Sequence, residues 1–423
     1  MAGTRTAIGL GRRIRELLSR QKPGEGPRPV LFISPTGDFS NGAERSAYQL
    51  MKLLAEKGHG VLNAYPAYSP HAEEAYRAAL GAAGVVPLRV PELRWWPDAP
   101  GGDINTPPDA PADLAAIDAL REIIRAHAVG AVVTNTVNIY HGALAAAAEN
   151  VRHIWLIHES PEGEFAYFRN KGRFISAHSD ALFCVAGTLR QSLAPVLGGR
   201  RVGTFLPYTN PGDTGEGRAA GSPGRIVCIG LITKRKNQLE LLAAYALLAE
   251  ELKGLELVFV GGDGDDAGYR AACDEFLARN SLTRVTFTGH LENPWAAVSD
   301  RDIVVLPSSS ETFGCVYAEA LMCGVPVIAS DNPGFSLVHR LFGAGRLYPR
   351  GDPGALAEAI REVLRDFESQ KAAARAAAPG VRGAFAPENA YAGIVAEVGS
   401  RRRPRRKEPC DPARLNELIV KPS

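Results

Sequence analysis

Residues 302–334 of the 423-residue chain read DIVVLPSSSETFGCVYAEALMCGVPVIASDNPG, with two carboxylates eight positions apart, Glu311 and Glu319. The apolar run Ile303–Leu306 predicts a buried strand that ends in the polar turn Ser308-Ser309-Ser310-Glu311. A helix is expected to begin near Phe313-Gly314. Small residues at a strand end let backbone N–H groups approach a ligand, and a helix N-terminus adds partial positive charge suited to phosphate. Glu311, at the junction, can accept hydrogen bonds from hydroxyls, and Glu319, about two turns down the helix, could reach a vicinal diol from the side. Phosphate and hydroxyl recognition thus meet in one segment.

Set in the string PSSSETFGxxxxEAxxxGxPVxAS, this pair resembles the retaining glycosyltransferases of the GT-B fold, family 4 (group 1). The resemblance implies that Glu311 lies by the hydroxyls of a donor hexose and that Glu319 holds a ribose diol. It also implies that the backbone after Thr312, at Phe313 and Gly314, sits at a diphosphate. Three other segments extend it. In GDFSNGAERS, Gly42 opens a helix as in the family's GGAER loop, which approaches donor phosphate and acceptor; Asn41 stands where a first glycine is usual, and Asn tolerates a left-handed backbone. In RIVCIGLITKRKNQ, Lys236 fits the family's diphosphate-clamping lysine, but Leu231 occupies the position of its arginine. Lys234 or Arg235 could supply the missing cation, because a leaving diphosphate needs positive charge; a KRK triplet is also what a solvated turn looks like. In IWLIHES, His158 and Glu159 end an apolar strand, and the resemblance puts His158 near the donor sugar and the reacting centre. Asn135 and His290 end strands in a similar way and are weaker candidates.

Asp263-Gly264-Asp265 is a DxD string like the metal site of the other major glycosyltransferase fold, where two carboxylates hold a divalent ion. Here it follows a strand and opens a helix, so a loop-and-cap reading is favoured and no metal is expected.

The elements that must position these residues alternate. Strands are expected at Val30–Ser34, Val61–Tyr65, Ala131–Thr134, Ile154–Ile157 and Ala181–Val185, with helices at 43–57, 112–127, 141–149 and 188–196. Residues 208–224, YTNPGDTGEGRAAGSPG, have no apolar face and read as a linker. Alternation then restarts, with strands at Ile226–Gly230, Leu257–Val260, Val285–Thr288, Ile303–Leu306 and Val325–Ala329. Helices are expected there at 237–252, 267–279, 315–323 and 353–366, with a short one around 294–299. The fold class is therefore α/β, two Rossmann-like doubly wound domains facing each other across a cleft. The divisions are a basic extension 1–28, a first domain 29–207 on the acceptor side, the linker 208–224 and a nucleotide-sugar domain 225–384. A crossing helix 385–398 and a basic, disordered tail 399–423 complete the chain.

Composition is that of a globular protein, 45% hydrophobic and 22% charged, with a net charge of +2. That total hides its distribution. Residues 1–28 carry seven basic and two acidic side chains, residues 401–423 eight and three, so each end is +5 and the body from 29 to 400 is −8. Ile8, Leu10, Ile14, Leu17 and Leu18 among the N-terminal arginines have the pattern of an amphipathic helix that could rest on an anionic membrane surface; solvated, unstructured ends are the other reading. RRRPRRK lacks interleaved aromatics, and no nucleic acid is expected as a partner. None of the six cysteines forms a CxxC pair, no run approaches the roughly 20 apolar residues that span a bilayer, and the start does not read as a secretory signal. A cytoplasmic protein, at most peripheral at the inner face of the membrane, is expected.

The resemblance implies transfer of a hexose-type sugar from a nucleotide-diphosphate sugar to an acceptor hydroxyl with retention, in cell-envelope or exopolysaccharide glycan synthesis. Glu311, His158 and Lys236 are the catalytic candidates. Gly42, Arg235, Lys236, Glu311, Thr312, Phe313, Gly314 and Glu319 are the donor-binding ones. The acceptor would be a glycan, a lipid-linked saccharide or a small molecule, and no cofactor is implied. A GT-B nucleotide-sugar epimerase and a non-catalytic sugar- or nucleotide-binding protein are the alternatives, the second sustained by Leu231.

Overall fold

A computed structural model describes residues 27–39, 41–66, 70–94, 110–212, 224–251, 254–264, 266, 268–400, 402–405 and 407. Most of the N-terminal extension, linker residues 213–223 and residues 408–423 lie outside them. The chain forms two compact units, one of residues 1–208 with 387–423, the other of residues 209–386.

In the first unit the elements run β1 (Val30–Ile33), α1 (Gly42–Glu56), β2 (Val61–Tyr65), α2 (Pro70–Ala82), β3 (Val85–Arg89), α3 (Ala110–Ala126) and β4 (Ala131–Asn135). They continue with α4 (His141–Ala148), β5 (Arg152–Ile157), a 3-10 stretch (Gly163–Lys171), α5 (Gly172–Ala177), β6 (Ala181–Val185), α6 (Leu189–Val196) and β7 (Gly203–Phe205). All seven strands are parallel, in the order β3-β2-β1-β4-β5-β6-β7. Strands covered on both faces bury every position: β1 is a continuous apolar run, while β2, β4 and β5 also bury Asn63, Thr134, Asn135, Arg152 and His153. Against them α1 lays Ala47, Leu50, Met51 and Leu54, the i, i+3, i+4 face predicted for it.

The second unit runs β8 (Arg225–Ile229), α7 (Gln238–Leu247), β9 (Glu256–Val260), α8 (Tyr269–Arg279), β10 (Val285–Phe287), a short 3-10 turn (Pro294–Ala297) and β11 (Ile303–Leu306). It continues with α9 (Cys315–Met322), β12 (Val327–Ser330), α10 (Pro333–Phe342), β13 (Arg346–Tyr348), α11 (Pro353–Arg365) and α12 (Phe367–Phe385). Its six strands are parallel in the order β10-β9-β8-β11-β12-β13. Leu241, Tyr245, Leu257, Phe259, Val305 and Ile360 lie together in its hydrophobic core. The strand expected from Val325 begins two residues later because Pro326 has no N–H to give the ladder; its carbonyl accepts from Val304 instead.

The chain then returns to the first unit as α13 (Pro387–Ala390) and α14 (Ala392–Val398). The single crossing helix expected over 385–398 is thus two, with Tyr391 between them. Its phenol hydroxyl is within 2.7 Å of the Ser46 hydroxyl and donates to the Ser46 carbonyl. Residues expected to begin a disordered tail are packed as well, since the Lys407 side chain is only 2% exposed.

Both sheets share one feature that decides where ligands go. The order in which successive strands are added reverses between β1 and β4 in the first sheet and between β8 and β11 in the second. Ligands of open parallel sheets bind beyond the carboxyl ends of the strands flanking that reversal.

Candidate functional site

In the second unit the residues predicted from sequence leave those two strands. From β11 comes the turn 307–311. The Ser308 carbonyl accepts from Ser330 Oγ (2.6 Å) and Asn332 Nδ2 (3.0 Å), and the Ser309 carbonyl accepts from Arg350 Nη1 (2.7 Å). From β8 comes the turn 230–237, tied to the first because Ser309 N–H donates to the Arg235 carbonyl (2.8 Å). The result is an ion cluster. Lys236 Nζ stands 2.7 Å, and Arg235 Nη1 3.2 Å, from Glu311 Oε1. Burial pushes the Glu311 carboxyl up, but the charges of Lys236 and Arg235 outweigh it, and its pKa lies below the ordinary carboxylate value.

Close packing fixes this geometry at two glycines. A Cβ on Gly261 would lie 2.1 Å from the Gly230 carbonyl oxygen, and one on Gly334 would lie 2.6 Å from that of Glu311. Gly314 has φ of 90° and caps α9, so the chain turns there into a conformation that suits glycine. Phe313 is buried against Phe385, leaving its backbone and that of Thr312 at the mouth of α9. Glu319, in the second turn of α9, takes donors on both oxygens, Trp295 Nε1 (2.8 Å) and Thr209 Oγ1. Cys315, which the sequence did not single out, begins α9; its thiol is pushed up by burial and by the charges of Glu319 and Glu311.

Between the two cations left open by sequence, the structure distinguishes them. Arg235 reaches Glu311 and the Ser310 carbonyl, whereas Lys234 is exposed and engages Asp266 only through its backbone N–H (2.6 Å). Leu231, at the arginine position, is 52% exposed. His290 is exposed past β10. Asp263 pairs with Arg270 at 3.5 Å, while Asp265 lies outside the described residues. Among the described residues, no group of three or more His, Cys, Asp or Glu is placed to hold a metal ion.

In the first unit, β1, β4 and β5 deliver a different set. His158 Nε2 lies 2.9 Å from Asn135 Oδ1, and Asn135 Nδ2 donates to the Ala43 carbonyl (3.2 Å), so both strand ends are tied to the start of α1. Burial lowers the pKa of His158 to about 4. Burial raises that of Glu159 to about 7 although the N–H groups of His158 (3.0 Å) and Val137 (3.3 Å) donate to it. Asn41 does not use the left-handed backbone that Asn tolerates: its φ is −128°, and its side chain accepts from Glu44 N–H at 2.9 Å, the N-cap of α1. Gly42 follows as the first helical residue, and a Cβ there would meet open space.

Two features here escaped the sequence reading. Glu44 is fully buried, its pKa pushed up to about 7 by burial against the opposing pull of the Thr36 N–H and hydroxyl, both 3.0 Å from Oε1. Asp113 is buried between His141 Nε2 (2.7 Å) and the Arg94 guanidinium. No spacing signal links Asp113 to His141, because the helix–strand–helix path between them sets the contact.

Two doubly wound parallel sheets in one chain, each with its polar residues beyond the strands at the reversal point, define a GT-B protein. Solved structures agree: HepE of Anabaena with UDP and glucose (TM-score 0.66, 18% identity, 88% of this chain and all of that one) and a glycosyltransferase of Rickettsia africae (0.70, 16%, 89% and all). The model of glycosyl transferases group 1 matches residues 215–379, and that of glycosyltransferase family 4 matches residues 40–202. The chain belongs to the family 4, group 1 glycosyltransferases. Among named relatives are a phosphatidyl-myo-inositol mannosyltransferase of Mycobacterium leprae (32% identical over 151 residues, 35% of this chain, 39% of the relative) and a D-inositol 3-phosphate glycosyltransferase of Corynebacterium urealyticum (29% over 191 residues, 43% and 45%). The chain thus matches less than half the length of each of these curated relatives.

Proposed function

We propose that the chain is a retaining glycosyltransferase that moves a hexose-type sugar from a nucleotide-diphosphate sugar to an acceptor hydroxyl in glycan or glycolipid synthesis. The observation that carries this is the Lys236–Arg235–Glu311 cluster between the ends of β8 and β11. Two cations around one carboxylate, beside the mouth of α9, suit a ligand that presents a diphosphate and hydroxyls together. On this reading Lys236, Arg235 and the backbone of Thr312, Phe313 and Gly314 stabilise the diphosphate, Glu311 orients the hexose, and Glu319 faces the ribose. The acceptor oxygen bonds to the anomeric carbon on the face from which the bond to phosphate breaks. The leaving phosphate oxygen takes the acceptor proton, so no protein nucleophile is needed. In the first unit, His158, held neutral and oriented by Asn135, and the Gly42 loop serve the sugar and phosphate by the family resemblance.

No metal takes part on this reading. The uridine-diphosphate ligands named for HepE structures support a nucleotide donor, and relatives named as mannosyl- or inositol-phosphate glycosyltransferases support transfer over either alternative. Described cysteines 184, 228, 273, 315 and 323 are all unpaired, which suits a reducing cytoplasmic compartment. Thermal stabilisation by UDP-, GDP- and ADP-sugars identifies the donor before any acceptor is known. With donor and acceptor in hand, Lys236→Ala and Glu311→Ala should each abolish transfer while the fold persists, and the product should keep the donor's anomeric configuration by proton NMR. Undiminished turnover in either folded variant overturns the assignment.

A further inference from the structure

Glu311 and Glu319, eight positions apart, are held by different chemistry. Two cations stand at Glu311, whereas among the described residues no lysine or arginine is ion-paired with Glu319. Its partners are neutral, and each takes one oxygen. Trp295 Nε1 donates to Oε2 at 2.8 Å, and the Thr209 hydroxyl donates to Oε1. Both donors come from outside α9 and both are buried. Thr209 begins the second unit, and Trp295 stands in the 3-10 turn between β10 and β11. That turn is itself fixed, because Asn293 Oδ1 accepts from the Trp295 N–H at 3.1 Å.

A glutamate side chain has several staggered rotamers to choose from, and a ligand that selects one of them loses affinity by doing so. Here two donors make the selection beforehand. An indole N–H can only donate, and a buried ring has little freedom to turn away, so Trp295 fixes Oε2. The Thr209 hydroxyl fixes Oε1 in the same sense. An ionised carboxylate accepts about four hydrogen bonds, two on each oxygen. One protein donor on each oxygen leaves one acceptor direction on each, the pattern that a vicinal diol meets with its two O–H groups. A ligand with a single hydroxyl satisfies only one of them, and a site built to bond a hydroxyl discriminates against the analogue that lacks it.

We propose that Trp295 and Thr209 are positioning residues that set the Glu319 carboxylate to select ribose over 2′-deoxyribose in the donor nucleotide. The inference rests on the reading of Glu319 as the carboxylate that faces the ribose, and it assigns the selectivity of that contact to two residues that do not themselves touch the sugar.

Titration calorimetry of the full chain tests it. UDP, GDP and ADP are compared first, and the tightest of the three is then set against its 2′-deoxy counterpart. The parent should bind the ribonucleotide at least about tenfold more tightly, as one hydrogen bond to a charged group provides. Thr209→Val, which keeps the side chain's shape and removes its hydroxyl, should bring that ratio to within about threefold, chiefly by weakening the ribonucleotide. Trp295→Phe should do the same, and Thr209→Ser should keep the parent ratio. A merely structural role would weaken both nucleotides alike and leave the ratio unmoved. Melting temperatures verify folding, and if Trp295→Phe does not fold, the two Thr209 variants decide. A parent-like ratio in folded Thr209→Val overturns the inference and leaves the ribose reading of Glu319 standing. Equal binding of ribo- and deoxyribonucleotide by the parent overturns that reading and the inference together, as does the absence of binding by all three nucleotides.

Discussion

The two sheets reverse their strand order in the same way yet solve opposite electrostatic problems at that point. In the second unit Glu311 stays charged because Lys236 and Arg235 stand within 3.2 Å of it, and their attraction exceeds the cost of its burial. In the first unit burial is the largest influence on His158, Glu159 and Glu44, outweighing the attraction of Lys171 for Glu159, and it pushes each toward its neutral form. One strand end is built to present fixed charge, as a diphosphate requires; the other keeps titratable groups uncharged and hydrogen-bonded. Topology locates both sites, and the neighbours of each carboxylate decide what each can do.

The strongest way to break the contrast is to make the second unit resemble the first. Lys236→Met leaves the Glu311 carboxylate, 12% exposed, with only the half-exposed Arg235 as counter-ion. Removing one partner of a buried pair costs roughly 3–5 kcal/mol, and we expect the low end because Glu311 retains some contact with solvent. Urea denaturation measures it. Adding Glu311→Gln should recover most of the loss, since the uncompensated charge disappears. A single variant as stable as the parent would show that the pair does not organise the turn.

The second prediction sharpens the comparison through pH. Glu159 has a folded pKa of about 7 against an ordinary 4.5, so between these values the folded state holds a proton that the unfolded state has lost. Stability therefore falls as pH rises through that window. Glu159→Gln keeps the acceptor for Val137 and His158 and removes the ionisation. Relative to the parent it should gain nothing below pH ~4.5 and on the order of 3 kcal/mol above pH ~7. Glu44→Gln should behave alike. A pH-independent difference in urea midpoint would refute the neutral-carboxyl account.

Much of this architecture is legible in sequence. Val61–Tyr65, Ala181–Val185 and Ile303–Leu306 are strands at the residues expected, because parallel strands buried on both faces leave short, mainly apolar runs bounded by turn residues, interrupted here only by Asn63. The ion cluster is partly legible. The family resemblance singles out Glu311 and Lys236, but only the structure shows which of Lys234 and Arg235 joins them, through the tie between Ser309 and the Arg235 carbonyl and the Arg235–Glu311 ion pair. Glu44 and the Asp113–His141 pair are not legible, since a carboxylate on a helix reads as a solvated face until packing buries it. Helix α12 was missed for a local reason: Pro379 and Gly380 interrupt its periodic pattern, and packing on α9 sustains the helix through them.

A third, smaller effect tests whether the backbone of the turn matters as much as its charges. At Gly334, an added Cβ would lie 2.6 Å from the Glu311 oxygen and 2.9 Å from its carbonyl carbon, contacts that only a backbone shift can relieve. Gly334→Ala should cost about 1–3 kcal/mol, typical of overpacking. It should also reduce stabilisation by the nucleotide sugar, because Glu311 moves with the shift. Unchanged ligand stabilisation in a destabilised variant would separate the packing of α10 from the site.

The smallest expected effect on stability asks most about function. Arg235 is 42% exposed, and an ion pair so open to solvent contributes little, so Arg235→Ala should lie within ~0.5 kcal/mol of the parent. If Arg235 supplies the cation missing at Leu231, the same variant should still bind a nucleotide diphosphate about tenfold more weakly, since charge-assisted bonds to phosphate are worth roughly 1.5–3 kcal/mol. Lys234→Ala, whose side chain makes no described contact, should leave affinity unchanged. Leu231 is 52% exposed, so arginine there can be accommodated without repacking. Leu231→Arg added to Arg235→Ala should therefore restore binding, measured by titration calorimetry. Rescue would show that the strand end and the turn offer interchangeable places for one positive charge. Failure of rescue, with Arg235→Ala still weak, would instead tie the role of Arg235 to its contact with the Ser310 carbonyl and to the shape of the turn.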